Sequence, residues 1–279
     1  ENSLALEDVR DNLKQISDIE RIVGRVNNGK VTPKEINGLR LSLEQIPEVR
    51  SVLKQSGNKH LKSFMKRFAD IDKINDQITK KLHPEAPSQI KQGNVILGGV
   101  NDELDELREL STSGKKWIAQ LQSSERERTG IPSLKIGYNR VFGYYIEITK
   151  AHGEKVPEEY IRKQTLVNAE RYITPELKEY EEKILSAEEK IESIESRIFH
   201  ELCQYILSQA GILQENAAVL SRLDVLSNFA WVSISNKYTR PIFTKAGTIK
   251  IKAGRHPVVE QLLPATERFI PNDLSMNTK

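Results

Sequence analysis

The residue types that most often carry catalysis or bind metals are present in this chain, but their spacing matches no known kind of site. The five histidines are scattered, and Cys203 has no second cysteine with which to hold a metal ion. The acidic pairs Glu181-Glu182 and Glu188-Glu189 fall at helix positions that we interpret as solvated surface. Gly98-Gly99 is not followed by Lys and Ser or Thr, so it is not a phosphate loop. We therefore predict that this chain is not itself an enzyme.

Between residues 133 and 172 the side chains are of types that can bind an anion. Asn139, Gln164, Thr165 and Asn168 stand among the cations as uncharged hydrogen-bond donors. Such mixtures commonly hold phosphate oxygens without reading base sequence. A solvated polar surface explains the same residues without a ligand, so the residue types alone leave both interpretations open. Against five acids, the segment has seven basic residues: Lys135, Arg140, Lys150, Lys155, Arg162, Lys163 and Arg171.

Charge elsewhere in the chain restricts any such binding to this segment. Residues 174–201 carry nine acids against four bases, a surface that would repel DNA. The net charge of the whole chain is only +3 and its pI is about 8.7. A basic field over the whole protein is therefore absent, and any affinity for nucleic acid must be local.

The remaining composition points to an intracellular protein. Cys203 lies among Leu202, Tyr205 and Ile206 in a helical pattern, so we interpret it as a small core side chain. One cysteine cannot form an intrachain disulfide, which fits a reducing cytoplasm. No uninterrupted apolar run reaches about 18 residues and no signal peptide opens the chain, so we expect no membrane-spanning helix. The chain opens at Glu1 without Met, from which we expect an excised portion of a longer protein.

Two long helices are predicted on either side of residues 133–172. Each carries apolar or small residues in steps of three and four, the heptad pattern of coiled-coil packing. Thr174-Pro175-Glu176 is a strong start signal for the second helix. The two could belong to a generic bundle, but the differently patterned segment between them favours an antiparallel pair that forms a stalk. The heptad positions are Leu104, Leu107, Ser111, Gly114, Ile118 and Leu121 in the first helix, and Leu177, Tyr180, Ile184, Ala187, Ile191, Ile194 and Ile198 in the second.

The segment between these helices alternates with a period of two. Residues 134–138 and 141–148 flank Asn139-Arg140, which predicts a β-hairpin, and 164–169 is predicted as a third strand. A helix over 102–128 would carry this sheet about 40 Å from the body of the protein. Binding at the tip is the simplest reason for such a reach.

Elsewhere the pattern is mostly helical. One helix is predicted over 4–26, a second from Thr32-Pro33 to Pro47, further helix over 48–82, and another over 212–236. Strand pattern returns after Pro241. The predicted fold class is mainly α with a small β domain: a helical core and long antiparallel helices carry a small antiparallel sheet, and a short β segment follows at the C-terminus.

Four stretches of this chain resemble proteins of the MutS family of DNA mismatch-repair proteins. ERERTGIPSLKIGYNRVFGYYIEITK (125–150) and RKQTLVNAERYITPELKEYEEKIL (162–185) are similar to that family's clamp and to the lever helix that returns from it. LDVLSNFA (223–230) and IKAGRHPVVEQ (251–261) are similar to the segments that lead into its ATPase domain. Order and spacing also match, so the resemblance covers essentially the whole chain.

The resemblance implies a division of labour along the chain. Residues 1–128 would form a helical core and first lever helix, 129–173 the β clamp, 174–240 the returning lever helix and core, and 241–279 the edge of an ATPase domain. The clamp would hold the DNA backbone non-specifically, and the lever would couple DNA binding to the ATPase. The implied candidates for backbone contact are Lys135, Asn139, Arg140, Arg162, Lys163, Gln164, Thr165, Asn168 and Arg171.

The resemblance also implies cofactors and partners. ATP and Mg²⁺ would bind the full-length protein, a DNA-dependent ATPase whose phosphate loop is expected after Lys279, and no cofactor would bind this chain alone. Phe269 stands where the family has a phenylalanine that stacks on adenine, although without the family we would assign it to packing. The expected partners are double-stranded DNA, a second copy of the full-length protein and a MutL-like repair protein, in the bacterial cytoplasm at the nucleoid and without a membrane.

One alternative of a different class remains. A structural coiled-coil arm of a chromosome-organising or scaffold protein also needs heptad helices and a hinge-like tip. It would not need Asn139, Gln164, Thr165 and Asn168 grouped among cations.

Overall fold

The structure, a computed structural model, describes residues 3–55, 59–139, 141, 143–245, 247–264 and 266–277. The chain divides into two units, Glu1–Asn228 and Phe229–Lys279. Helices are α1 Ser3–Lys14, α2 Ile19–Asn27, α3 Pro33–Gln55, α4 Lys59–Met65, α5 Asp72–Lys81, α6 Asp102–Thr129, α7 Pro175–Ser208, α8 Ala210–Ser235 and α9 Val259–Leu262. Strands are β1 Lys135–Asn139, β2 Gly143–Thr149, β3 Ile161–Thr165, β4 Ala169–Ile173, β5 Thr248–Gly254 and β6 Asn272–Asn277. The predicted fold class is confirmed.

The helical core of the first unit buries the apolar faces of α2, α3, α5, α7 and α8 against one another. Ile36, Leu39 and Leu43 of α3 are fully buried, and each contributes about 1.5–3 kcal/mol relative to an exposed position. Cys203 of α7 lies in the same cluster. Its interpretation as a core side chain is therefore confirmed.

Three helix boundaries differ from the prediction. The helix predicted over 48–82 is interrupted at residues 66–71, because Asp70 Oδ1 accepts the Asp72 N–H at 3.0 Å where α5 begins. The helix predicted over 4–26 is interrupted after Lys14, because the Asp18 carboxylate accepts a hydrogen bond from the Arg21 N–H at 2.9 Å and caps a new helix. Pro47 does not end α3, which continues to Gln55 with Val49 buried behind the proline. Burial of the apolar face on both sides of Pro47 outweighs the hydrogen bond that the proline removes.

The helices α6 and α7 lie antiparallel, as the heptad positions predict. The rings of Trp117 and Tyr180 are stacked with centroids 3.5 Å apart and planes 8° apart. Toward the core, Lys115 pairs with Glu188 at 2.6 Å. Residue numbers thus fall along α7 as they rise along α6. The two helices are about 42 and 51 Å long, so they can carry the sheet far from the core.

The sheet between α6 and α7 has the strand order β1-β2-β4-β3, with every neighbouring pair antiparallel. The strand predicted over 164–169 is wrong. β3 ends at Thr165 and β4 begins at Ala169, and between them the Leu166 N–H donates to the Ala169 carbonyl at 2.8 Å. Val167 is β-branched and favours a strand in the sequence, but Asn168 tolerates turn conformations and the chain reverses here.

The second unit contains β5 and β6, which pair antiparallel with Ile251 opposite Leu274. Among the helices within the described ranges, α8 alone combines the length and apolar composition that crossing a membrane requires. Core helices of water-soluble proteins also meet this criterion, and 28% of the apolar window is buried here. The absence of a membrane-spanning helix therefore stays a prediction.

Candidate nucleic-acid interface

The four-stranded sheet is fixed against the far end of α6 by polar contacts around an apolar core. Gln122 Oε1 accepts the Ile136 N–H at 2.8 Å, and Arg126 Nε donates to the Leu134 carbonyl at 2.6 Å. The Tyr160 hydroxyl donates to Glu125 at 2.5 Å. Buried side chains fill the space between sheet and helices, namely Ile118, Ile131, Leu134, Ile146, Ile148, Tyr172, Leu177 and Ile184. The strands are therefore held in a single position on the helix pair.

The Glu125 carboxyl stays ionised and the Tyr160 hydroxyl stays neutral at neutral pH. Burial acts to raise the pKa of the Glu125 carboxyl, but hydrogen bonds from Arg128 and Tyr160 outweigh burial and lower that pKa. The pKa of Tyr160 is raised, first by burial and then by its bond to Glu125. The pair is thus a carboxylate and a neutral phenol, which suits a structural hydrogen bond.

A buried carboxylate on α7 holds the beginning of β2. Glu181 is only 5% exposed, and its Oε2 accepts the Tyr144 N–H at 2.8 Å while Lys178 pairs with Oε1 at 2.9 Å. Gly143 has φ +75, and a Cβ there would lie 2.1 Å from Glu181 Oε1, so no other residue fits. The interpretation of Glu181 as solvated is wrong. The hairpin folds back over this helix turn and covers it, while Glu182 next to it stays exposed.

The outer face of the sheet is organised around Arg171. Its guanidinium donates to Glu147 at 2.8 Å and to Gln164 Oε1 at 2.9 Å, and it lies 4.2 Å from the centroid of the Tyr145 ring. The Tyr145 ring in turn covers Gly137, where a Cβ would come within 2.8 Å of its hydroxyl. The side chain of Arg171 is 19% exposed. Two of the candidate residues, Arg171 and Gln164, therefore bond to each other across the sheet.

The structure separates the other candidates into two groups at opposite ends of the sheet. Asn139 pairs with Gly143 at the end near Glu181, and its Oδ1 accepts the Val141 N–H at 2.8 Å. Arg140 lies outside the described residues. Asn168 stands beside the opposite end, where Ala169 pairs with Thr149. Six steps along β2 separate these ends, or about 20 Å. The nine candidates therefore do not all lie on one contact surface.

The end with the β3–β4 turn carries exposed polar side chains that make no hydrogen bond or ion pair to the described part of the chain. The pairing of β3 with β4 shifts between Arg162 and Gln164, so Lys163 has no residue directly opposite. Thr165 and Asn168 are exposed beside it. Lys135, also exposed, begins the other edge strand.

Lys150 joins this group in the structure although it is not among the nine sequence-based candidates. Its N–H donates to the Asn168 carbonyl at 3.1 Å, which places it beside the turn. Its position directly after β2 is the sequence signal that could have identified it. We call the group of Lys150, Lys163, Thr165 and Asn168 the hairpin tip.

Arg162, the remaining candidate, is exposed but paired. Its Nη1 lies 3.2 Å from Glu170 Oε1, on the strand next to it.

No group of three or more His, Cys, Asp and Glu side chains that could hold a metal ion is found in the described ranges. Phe269 lies partly exposed in the loop before β6, and its role in binding adenine stays a prediction.

A family model described as MutS family domain IV matches residues 99–190, which include α6, the whole four-stranded sheet and the first half of α7. Curated relatives match far more of the chain. DNA mismatch repair protein MutS of Salinibacter ruber is 47% identical over 271 residues, 97% of this chain and 30% of that protein. The protein of the same name from Flavobacterium johnsoniae is 45% identical over 276 residues, 99% of this chain and 32% of that protein. The chain thus spans about 30% of the length of the curated relatives it matches.

Proposed function

This chain belongs to the MutS family of DNA mismatch repair proteins, and we propose that it forms the lever and clamp of such a protein, gripping the backbone of duplex DNA. The observation that carries the proposal is the hairpin tip. Two lysines, a threonine and an asparagine stand together at the end of a sheet that a pair of long helices supports, and their side chains make no hydrogen bond or ion pair within the described ranges. These side chains donate hydrogen bonds to phosphate oxygens, which are the same at every base pair.

The charges of the returning helix and of the sheet segment support contact with DNA at the sheet and not along the helices. Residues 174–201 of the returning helix carry nine acids and four bases, whereas residues 133–172 carry seven bases and five acids. Phosphate repels the first surface and is attracted to the second, and screening limits both effects to about 8 Å at physiological salt. A duplex is therefore held at the sheet end of the helix pair.

Within this function we assign Arg171 and Gln164 to positioning. Both are tied into the outer face of the sheet, where they hold β3 against β4 and so orient the turn that carries Asn168. Lys135 and Asn139 are assigned to secondary contacts at other edges of the sheet, reached only if the duplex extends over them. Arg140 stays a candidate from the sequence alone.

The lever function is supported by a second buried carboxylate on α7. Glu195 is fully buried, accepts the Val95 N–H at 3.1 Å and pairs with Arg108 of α6 at 2.6 Å. It thus ties both long helices to the loop before α6. Together with Glu181 it fixes α7 to the core at one end and to the sheet at the other, so a displacement of the sheet is passed to the core.

The remaining activities belong, in this proposal, to a longer protein. Its ATPase domain would bind ATP and Mg²⁺, with Phe269 stacking on adenine, and a further domain would recognise the mismatch. The homodimer, the MutL-like partner and a place at the bacterial nucleoid are part of the same proposal. The chain by itself performs no catalysis.

The test replaces Lys163 with Ala in the full-length protein and measures equilibrium binding to matched and mismatched duplex at several salt concentrations. Binding to both should weaken equally, and the slope of log K against log salt should flatten by about 0.9 for one lost phosphate contact. Lys190→Ala is the control, because it removes an exposed lysine from α7 away from the sheet. Equal effects of the two variants, or a loss confined to mismatched DNA, would refute the proposal.

A further inference from the structure

The carboxylate of Glu170 stands next to the hairpin tip and pairs with Arg162, a cation of β3 outside that group. Arg162 of β3 is 62% exposed, yet its Nη1 lies 3.2 Å from Glu170 Oε1. Glu170 is two residues from Asn168 and lies opposite Thr165 in the pairing of β3 with β4. A phosphate that approaches this edge of the sheet therefore meets a guanidinium that already has an anionic partner.

The Glu170 carboxylate is held in place by a hydrogen bond from Tyr172. The buried Tyr172 hydroxyl donates to Glu170 Oε2, which leaves Oε1 to face Arg162. The bond from Tyr172 is the main reason that the pKa of Glu170 is lowered, burial opposes it, and the charges of Arg162 and Lys150 lower the pKa further. Burial, followed by the bond to Glu170, raises the pKa of Tyr172 to about 12. The carboxylate is thus ionised and oriented at neutral pH.

We propose that Glu170 competes with DNA phosphate for Arg162, so that it weakens the grip of the clamp and limits how tightly it holds DNA. This inference rests on the proposed function. A carboxylate and a phosphate use the same donors of a guanidinium, and both bind it through charge-assisted hydrogen bonds. While Glu170 occupies Nη1, Arg162 contributes less to holding the duplex than its exposure suggests.

The chemistry of the cluster distinguishes this role from simple bracing of the sheet. An exposed ion pair contributes little to stability, whereas a fixed negative charge beside a phosphate-binding cation opposes every approach of the duplex. Bracing of β3 against β4 is already provided by Arg171 with Gln164 on the other face. Removal of the charge from Glu170 should therefore change DNA affinity more than folding.

The test replaces Glu170 with Gln in the full-length protein, which keeps an oxygen to accept the Tyr172 hydroxyl and removes the charge. Matched and mismatched duplex should both bind about two- to fivefold tighter, the range that one exposed ion pair corresponds to. The salt slope should steepen by up to about 0.9, as expected for one additional phosphate contact. Circular dichroism and thermal unfolding verify that the variant keeps its fold.

Two further variants make the test specific. Glu154→Gln removes one exposed carboxylate of the same segment that makes no ion pair within the described ranges, and it should change affinity less than Glu170→Gln. In an Arg162→Ala background the gain from Glu170→Gln should be lost, because the competed cation is absent. A gain of equal size in that background, or in Glu154→Gln, would overturn the proposal.

Failure of this inference and failure of the proposed function give different results. If Lys163→Ala weakens binding but Glu170→Gln does not strengthen it, the clamp binds phosphate and the competition by Glu170 is refuted. If neither variant changes affinity or salt slope, the sheet is not the DNA-binding surface and both proposals fall. A well-folded Glu170→Gln variant with weaker binding would show that the carboxylate supports the grip, which also refutes the competition.

Discussion

Gly114 of α6 lies so close to Ile184 of α7 that a Cβ atom on Gly114 would be 2.6 Å from Ile184 Cγ1. Ile184 is buried between the helices and the sheet, so it cannot swing away without losing its packing. This close approach sets the distance between the two long helices at the level where the sheet begins. It also brings Trp117 and Tyr180, one turn further along, into stacking contact.

We predict that Gly114→Ala destabilises the protein. Overpacking at a tight contact costs roughly 1–3 kcal/mol, which exceeds the gain of about 0.5–1 kcal/mol that alanine brings to a helix interior. Gly24→Ala in α2 is the matched control, because nothing lies within 4 Å of its Cβ position, and it should stabilise the protein. Urea unfolding followed by circular dichroism measures both changes. The same sign for the two variants would contradict the assigned contact.

The second prediction separates a bracing residue from a DNA-binding one by stability alone. Arg171→Ala removes bonds to Glu147 and Gln164 together with the stacking on Tyr145, so it should cost about 1–3 kcal/mol. Lys163→Ala should stay within about 0.5 kcal/mol of the wild type, as exposed positions do. Thermal unfolding of the two variants provides the comparison. Equal stability would mean that Arg171 does not hold the sheet.

Arg171→Lys extends this prediction. Lysine keeps the charge but cannot donate to two partners in one plane while it lies over an aromatic ring. It should therefore recover only part of the stability lost in Arg171→Ala, and full recovery would show that charge alone matters at this position.

The third prediction concerns pH. Burial raises the pKa of the Cys203 thiol to about 11, from a usual value of 9.0. Folding then disfavours the thiolate, so the contribution of this group is fully present below about pH 9 and is lost as pH rises through about 11. The native thiol should stay unreactive toward iodoacetamide at pH 8 and become reactive on unfolding. Cys203→Ala should lack the thiol-dependent part of the alkaline fall in stability, and identical pH profiles for both proteins would refute the assignment.

The fourth prediction concerns nucleotide. The 279-residue chain should hydrolyse no ATP, and in the full-length protein Phe269→Ala should weaken ATP binding because stacking on the base is lost. Phe243→Ala, which removes an exposed phenylalanine of the same unit, is the control and should leave affinity unchanged. Equilibrium titration with a labelled nucleotide measures both. If Phe269→Ala binds ATP like the wild type, Phe269 is not part of the nucleotide site.

Local sequence determined the long helices and their packing faces. The heptad residues of α6 and α7 include the buried Leu104, Ile118, Leu177 and Ile194, because a periodicity near 3.6 selects one face of a helix wherever that helix packs. The start of α7 was also determined by local sequence, since the Thr174 hydroxyl accepts the Leu177 N–H at 3.1 Å within a single turn. The resemblance between segments of the chain and the MutS family added the function that these elements serve.

The tertiary structure alone decided which polar side chains are free to bind. The sequence gives no reason to distinguish among four polar residues of the sheet, Arg162, Lys163, Gln164 and Arg171. In the structure Arg171 bonds to Gln164 and Arg162 pairs with Glu170. Of the four, only the Lys163 side chain has no partner in the described ranges. These partners are set by strand register, and a shift of one residue would exchange the two faces of a strand. Glu181 is buried because a hairpin distant in the sequence covers it, and Tyr144, whose N–H it accepts, lies 37 residues earlier in the chain. Periodicity describes one element at a time, whereas the fate of a charged side chain depends on which other element is docked against it.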